Sequence, residues 1–99
     1  MFKLIALYTQ PADKAAFEKY YADVHIPLVK KVPGLSKIVL NRGVDAPWGP
    51  APYYLVVEMH FPDEATFKAA LASPEMAVAG KDVGNFAADI SKLMMARVD

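Results

Sequence analysis

The segment from Phe2 to Tyr8 is apolar except for Lys3, and Thr9-Gln10-Pro11 bounds it. A short apolar run closed by turn residues predicts a strand that becomes largely buried. The period then changes. Phe17, Tyr20, Tyr21, Val24 and Leu28 recur at three- and four-residue spacings, with Lys14, Glu18 and Lys19 on the other side. That pattern predicts an amphipathic helix, and Asp13 is its cap. Pro27 lies inside the pattern, so the helix is expected to kink or restart near Val24 to Ile26. Pro33-Gly34 stops it.

Leu35 to Gly43 alternates as a second strand, with Ile38 and Leu40 on one side and Lys37, Val39 and Asn41 on the other. Residues 44–52 carry Pro47, Gly49, Pro50 and Pro52 and form a loop, long for a hairpin connection. Tyr53 to Phe61 is the strongest strand pattern. Its odd positions are all apolar, and its even positions, Tyr54, Val56, Glu58 and His60, are mixed. Pro62-Asp63 opens a second helix with Phe67, Ala70 and Leu71 as its stripe. Ser73-Pro74 starts a short helical segment through Met76, whose end Gly80 and Gly84 make irregular. Residues 90–97 complete the pattern as a last strand.

The order is βαββαβ, an α+β fold of split-βαβ or ferredoxin-like topology. Two helices then cover one face of a four-stranded antiparallel sheet and leave the other uncovered. The uncovered face is expected to carry Tyr54, Val56, Glu58 and His60. Leu4, Ala6, Ile38, Leu40, Leu93 and Met95 are the side chains available to continue it on the other strands. A face of that mixed character suits the sheet of a second copy with a cavity between them. Ferredoxin-like domains pair in this way as dimeric α/β barrels, so a homodimer is expected by analogy of fold.

Composition narrows the function. Ninety-nine residues fit one domain, 1–99. The hydrophobic share of 55% is high for so small a chain, and apolar surface covered by a partner would account for it. Eleven basic and eleven acidic residues give zero formal charge. That balance argues against nucleic acid and against an electrostatic membrane patch. The absence of cysteine excludes disulfides, thiolate nucleophiles and cysteine-based metal sites. No signal-like or membrane-spanning apolar run occurs, so the cytoplasm is the expected compartment.

The candidate chemistry centres on Phe17, Tyr21 and His25, spaced i, i+4, i+8 along one row of the first helix. His25 precedes Pro27, where the helix deforms and exposes backbone groups. An imidazole there can act as acid or base; its structural alternative is a histidine satisfied by a backbone carbonyl at the kink. Tyr21 can hydrogen-bond His25 or a ligand carbonyl, or pack in the core with its hydroxyl at the surface. Glu58, desolvated inside a barrel, would have a raised pKa and suit proton transfer. Paired with Arg42, Lys37 or Arg97 it would not. Tyr54 shares its face with Glu58. Trp48, exposed by its loop, either packs across a dimer interface or over a pocket, or stacks on neighbouring prolines. His60 is expected to be solvated near the strand end. Asp82 and Asn85 are expected to cap and turn the chain. No metal site is expected, since the two histidines lie on different elements and no carboxylates have ligand spacing. No glycine-rich phosphate loop is present.

The pattern Phe-x-x-Tyr-Tyr-x-x-x-His-x-Pro-Leu from Phe17 to Leu28, followed by Pro33-Gly34-Leu35, resembles the ethyl tert-butyl ether degradation (EthD) family of dimeric α/β-barrel proteins. Tyr53-Tyr54 and Asp82-Val83-Gly84-Asn85-Phe86 are similar to that family as well, so the likeness spans essentially the whole chain. The resemblance implies a ferredoxin-like homodimer with a pocket between sheet and helices, into which the histidine points. It implies a place in oxidative degradation, and a small hydrophobic, oxygen-bearing ligand handled without cofactor. In that reading His25, Tyr21 and Glu58 carry the chemistry, as in an oxidoreductase, isomerase or lyase, and Tyr54, Phe17 and Trp48 contact the ligand. The alternative is a non-catalytic accessory or carrier protein using the same pocket. Haem, carried through a histidine in related barrels, would have His25 as its sole axial candidate.

Overall fold

The structure is a computed structural model describing residues 1–99. Strands β1 (Phe2–Tyr8), β2 (Lys37–Arg42), β3 (Leu55–Phe61) and β4 (Ser91–Arg97) form one antiparallel sheet in the order β2-β3-β1-β4. Helices α1 (Lys14–Tyr20), α2 (Ile26–Val29), α3 (Glu64–Leu71) and α4 (Pro74–Phe86) connect them. This is the ferredoxin-like α+β fold expected from the element order. The two most apolar strands, β1 and β3, take the centre, where both neighbours shield them. The sheet is open, with β2 and β4 as free edges.

Strand pairing decides the faces. Leu4 lies opposite Met59 and Met95, and Ala6 opposite Val57 and Leu93. Ile38 pairs with Met59 and Leu40 with Val57. Directly paired residues share a face. Leu4, Ala6, Ile38, Leu40, Leu93 and Met95 therefore belong with Met59 and Val57 on the helix side; the sequence left their facing open, and they do not continue the uncovered face. That open face instead presents Lys3, Ile5, Leu7, Val39, Val56, Glu58, His60 and Met94. Tyr54 also departs from expectation. The regular strand begins one residue later, after a loop stiffened by Pro50 and Pro52. The Tyr54 ring turns to the helix side, where it meets Phe17 edge-on at 5.6 Å.

Asp13 caps α1 by accepting the Ala16 N–H at 3.0 Å. At Tyr21–His25 the backbone widens into a π-helical turn, and the Ile26 N–H reaches back five residues to the Tyr21 carbonyl. Pro27 is the cause: it has no N–H for the Asp23 carbonyl, and its ring would strike that carbonyl in a regular helix. The expected deformation thus takes the form of a bulge that keeps the helical direction into α2. Gly34 ends the connection with φ +78°, and a β-carbon there would run into Thr66 on α3.

α4 is longer than its sequence implies. Ser73 caps it by accepting the Met76 N–H, Pro74 occupies its first turn, and it continues unbroken through Gly80 and Gly84 to Phe86. Neither glycine adopts a positive φ. Each costs about 0.5–1 kcal/mol relative to alanine, and the cap, the burial of Ala79 in the core and the hydrogen bonds that Asp82 accepts from Tyr20 and His25 outweigh that. The short segment ending at Met76 is therefore corrected to a thirteen-residue helix. Beneath the helices lie two apolar clusters. One centres on Phe61, Phe67 and Met59, the other on Tyr8, Phe17, Tyr21 and Leu55.

Candidate functional site

Between the sheet, α2 and α4 lies a cavity of about 390 Å³, lined by fourteen residues, twelve of them hydrophobic. Leu4, Ala6 and Tyr8 from β1 and Met59 from β3 form its floor. Val29, Met76, Ala79 and Val83 form its helical wall. Its mouth lies along edge strand β4, where Leu93 and Met95 point to the helix side yet remain 57% and 63% exposed. α4 stops short of covering that edge.

His25 is the one ionisable imidazole on this cavity, and it is 4% exposed. The π-turn sets its position, carrying the ring inward beside Phe86 (4.8 Å between centroids) and Tyr21 (5.3 Å). Its Nδ1 lies 3.0 Å from Oδ2 of Asp82 on α4. The other oxygen, Oδ1, accepts from the Tyr20 hydroxyl at 2.6 Å and from the Asn85 side-chain amide at 3.0 Å. Burial pushes the Asp82 carboxyl up, but the hydrogen bonds from Tyr20, Asn85 and His25 together outweigh it and hold its pKa below the ordinary value. The ionised carboxylate accepts only, so Nδ1 donates to it. Nε2 makes no hydrogen bond within the chain. The result is an oriented imidazole with its lone pair available at an apolar cavity, an arrangement suited to accepting a proton or a hydrogen bond.

Tyr8 adds a phenol to the cavity wall. Burial pushes its pKa up to about 12, partly offset by the Tyr21 hydroxyl beside it. Burial raises Tyr21 further still. Both phenols are therefore neutral in the physiological range.

The remaining expected site residues divide clearly. Tyr21 packs against His25 but is buried, with its ring stacked on Phe17, and its hydroxyl is not at the surface. Phe17 is core, and it also borders a second depression with Tyr20, Asn85 and Asp13. Tyr54 donates its hydroxyl to Glu18, which also holds Arg42 at 2.5 Å. Trp48 is 99% exposed and away from the cavity.

Glu58 stands on the open face, on the opposite side of the sheet from His25. Lys3 contacts it at 2.6 Å and Asn41 at 2.8 Å, and these hydrogen bonds lower its pKa despite partial desolvation. Of the two readings the ion pair holds and the raised pKa does not: the carboxylate is ionised, and its basic partner is Lys3, the cross-strand neighbour of His60, rather than Arg42, Lys37 or Arg97. His60 is buried rather than solvated, at 6% exposure, with Nε2 3.2 Å from Glu58 and neither ring nitrogen in a well-formed hydrogen bond. Asp82 and Asn85 were assigned by sequence to chain turning. They lie inside α4, and Asp82 is the partner of His25. Its signal in sequence is faint: one acid between Gly80 and Gly84, 57 positions from the histidine. No three His, Asp or Glu side chains gather as metal ligands, and no helix is long and apolar enough to cross a membrane.

Fold and site together define a ferredoxin-like α+β protein with a histidine–carboxylate pair on an apolar cavity. Residues 9–90 match the EthD domain, and the chain belongs to the EthD family. It is 33% identical over 87 residues to an uncharacterised 11.0 kDa protein from the thcB-thcC intergenic region of Rhodococcus erythropolis, covering 88% of this chain and 84% of that one. It is 39% identical to an EthD family protein of Bacillus halodurans C-125, whose crystal structure superposes with a TM-score of 0.93 over 100% of this chain and 99% of that one. A more distant structure shares the fold alone. It is SnoaB of Streptomyces nogalater, a cofactor-independent oxygenase, at 18% identity and TM-score 0.68 over 98% and 91% of the two chains. Dimeric ferredoxin-like proteins of unknown function, each 16% identical, share it too.

Proposed function

We propose that this EthD-family protein binds a small, largely apolar, oxygen-bearing metabolite in the cavity between sheet and helices, and that His25 exchanges a proton with it without a cofactor. The observation that carries this reading is the His25–Asp82 pair at 3.0 Å, with Nε2 facing a cavity otherwise almost wholly apolar. Nε2 takes the proton from the ligand, and the Asp82 carboxylate stabilises the imidazolium that forms. The low-dielectric wall strengthens that stabilisation. Tyr21 and Phe86 fix the plane of the ring. The fold shared with a cofactor-independent oxygenase is consistent with proton removal as the protein's part of an oxidative degradation step.

A carrier role is the second reading. One observation favours it: Glu58 does not reach the cavity, so His25 has no second acid–base group there except neutral Tyr8. Both readings are compatible with a cytoplasmic homodimer joined through the open face. Ile5, Leu7, Val39, Val56 and Met94 offer that face an apolar centre.

The test is to purify wild-type and His25→Ala protein from the native host and identify the bound small molecule by native mass spectrometry and extraction. Chemically different occupants in the two proteins support proton transfer. The same occupant in both supports the carrier. An empty cavity in both contradicts the binding reading itself.

A further inference from the structure

The hydrogen bonding behind His25 restricts what the front of the ring can accept. Three groups converge on Asp82, and two of them, the Tyr20 hydroxyl and the Asn85 amide, already occupy Oδ1. Oδ2 is left for His25 Nδ1 at 3.0 Å. A carboxylate offers no proton, so Nδ1–H is the donor of that contact. In the neutral imidazole Nε2 then carries a lone pair and no hydrogen. The Tyr21 hydroxyl donates to the Tyr8 oxygen, which leaves the Tyr8 proton as a donor on the cavity wall for a ligand oxygen to accept, and no second acceptor beside Nε2. The remaining lining is hydrocarbon and thioether, with Gly80 the sole further exception.

We infer that the ligand is an apolar molecule presenting one acidic hydroxyl, on an aromatic ring or an enol carbon, as hydrogen-bond donor to Nε2 of His25. This rests on the proposed binding reading and names its substrate class. A ligand whose only oxygen is a carbonyl or an ether can accept from Tyr8 but has no proton for Nε2, and leaves that nitrogen of the neutral imidazole desolvated without a partner. An acidic hydroxyl is the better match because donor strength rises with acidity. Transfer of its proton breaks the ligand O–H bond and forms Nε2–H. It leaves a phenolate or enolate facing an imidazolium whose Nδ1–H stays on Asp82.

The experiment is calorimetric titration of the full chain with 1-naphthol and with 1-methoxynaphthalene, which differ in the hydroxyl proton. The wild type is expected to bind the naphthol about tenfold or more tightly than its methyl ether. In Asp82→Asn the amide can also donate to Nδ1, the tautomer is no longer enforced, and the preference should shrink toward equality. His25→Leu, which keeps an apolar wall, gives the same readout where the asparagine variant does not fold. Equal or tighter binding of the ether by the wild type overturns the inference and leaves the apolar binding site standing. A preference that survives both substitutions also overturns it, because the hydroxyl is then read elsewhere. Failure of both compounds to bind at their solubility limits overturns the inference and the binding reading together.

Discussion

At the scale of single residues, Asp82 connects stability to the site. Its folded pKa lies below its ordinary value, so the unfolded chain binds its proton more readily. Stability from the ionised carboxylate is therefore fully present above about pH 4, the unfolded value, and is lost as pH falls through the folded value. Asp82→Asn should lower the unfolding free energy by about 1–3 kcal/mol at neutral pH, the cost of weakening a buried hydrogen-bonding centre. The gap between wild type and variant should narrow in denaturant titrations below about pH 4. A gap independent of pH would mean that the carboxylate charge does not matter. His25 was legible as a candidate because it stands beside Pro27 in a recognisable pattern. The ion pair of Glu58 was one of two readings its sequence allowed, but its partners, Lys3 and Asn41, come from two other strands and were not legible.

At the scale of elements, local chemistry explains most of what formed. Asp13, Asp63 and Ser73 cap the helices whose starts they mark. Two features of the helices are open to test. A β-carbon at Gly84 meets nothing within 4 Å, and the residue sits in regular helix. Gly84→Ala should stabilise the protein by about 0.5–1 kcal/mol, read as a higher denaturation midpoint with unchanged slope. Pro27→Ala restores the missing N–H and removes the ring that forces the π-turn. The helix should then relax toward regular geometry and rotate His25 away from Asp82. The expected outcome is weakened naphthol binding with little loss of stability; unaltered binding would show that Pro27 does not set the imidazole. The length of α4 escaped the sequence because glycines were read as breakers, and packing against the sheet overrides that preference.

At the scale of the whole molecule, the sheet separates two environments. Its helix face holds the core and the cavity. Phe61, fully buried between Phe67 and the sheet, should cost about 3–5 kcal/mol on truncation to alanine, measured by chemical unfolding. The open face is the proposed homodimer surface. Ile5 lies near its centre, between Glu58 and Met94. Ile5→Glu places a second carboxylate beside Glu58 where the two copies would meet, so sedimentation should show a shift from dimer toward monomer. A wild-type chain that sediments as a monomer at micromolar concentration would contradict the proposed assembly.

The order of elements, the helix starts, a deformation before Pro27 and the EthD pattern around His25 were all contained in the sequence, although the form of that deformation, a π-turn rather than a kink or restart, was not. Each depends on neighbours within a few residues, where periodicity, caps and proline sterics act. The chain alone did not disclose which face Leu4, Ala6, Leu93 and Met95 occupy, how far α4 runs, or that Asp82 orients His25. Those depend on cross-strand register and on α4 packing over the sheet, which bring together groups 57 positions apart. Alternation along a strand assigns residues to two opposite sets, but only pairing with the neighbouring strand and the helices above it decides which set is inside.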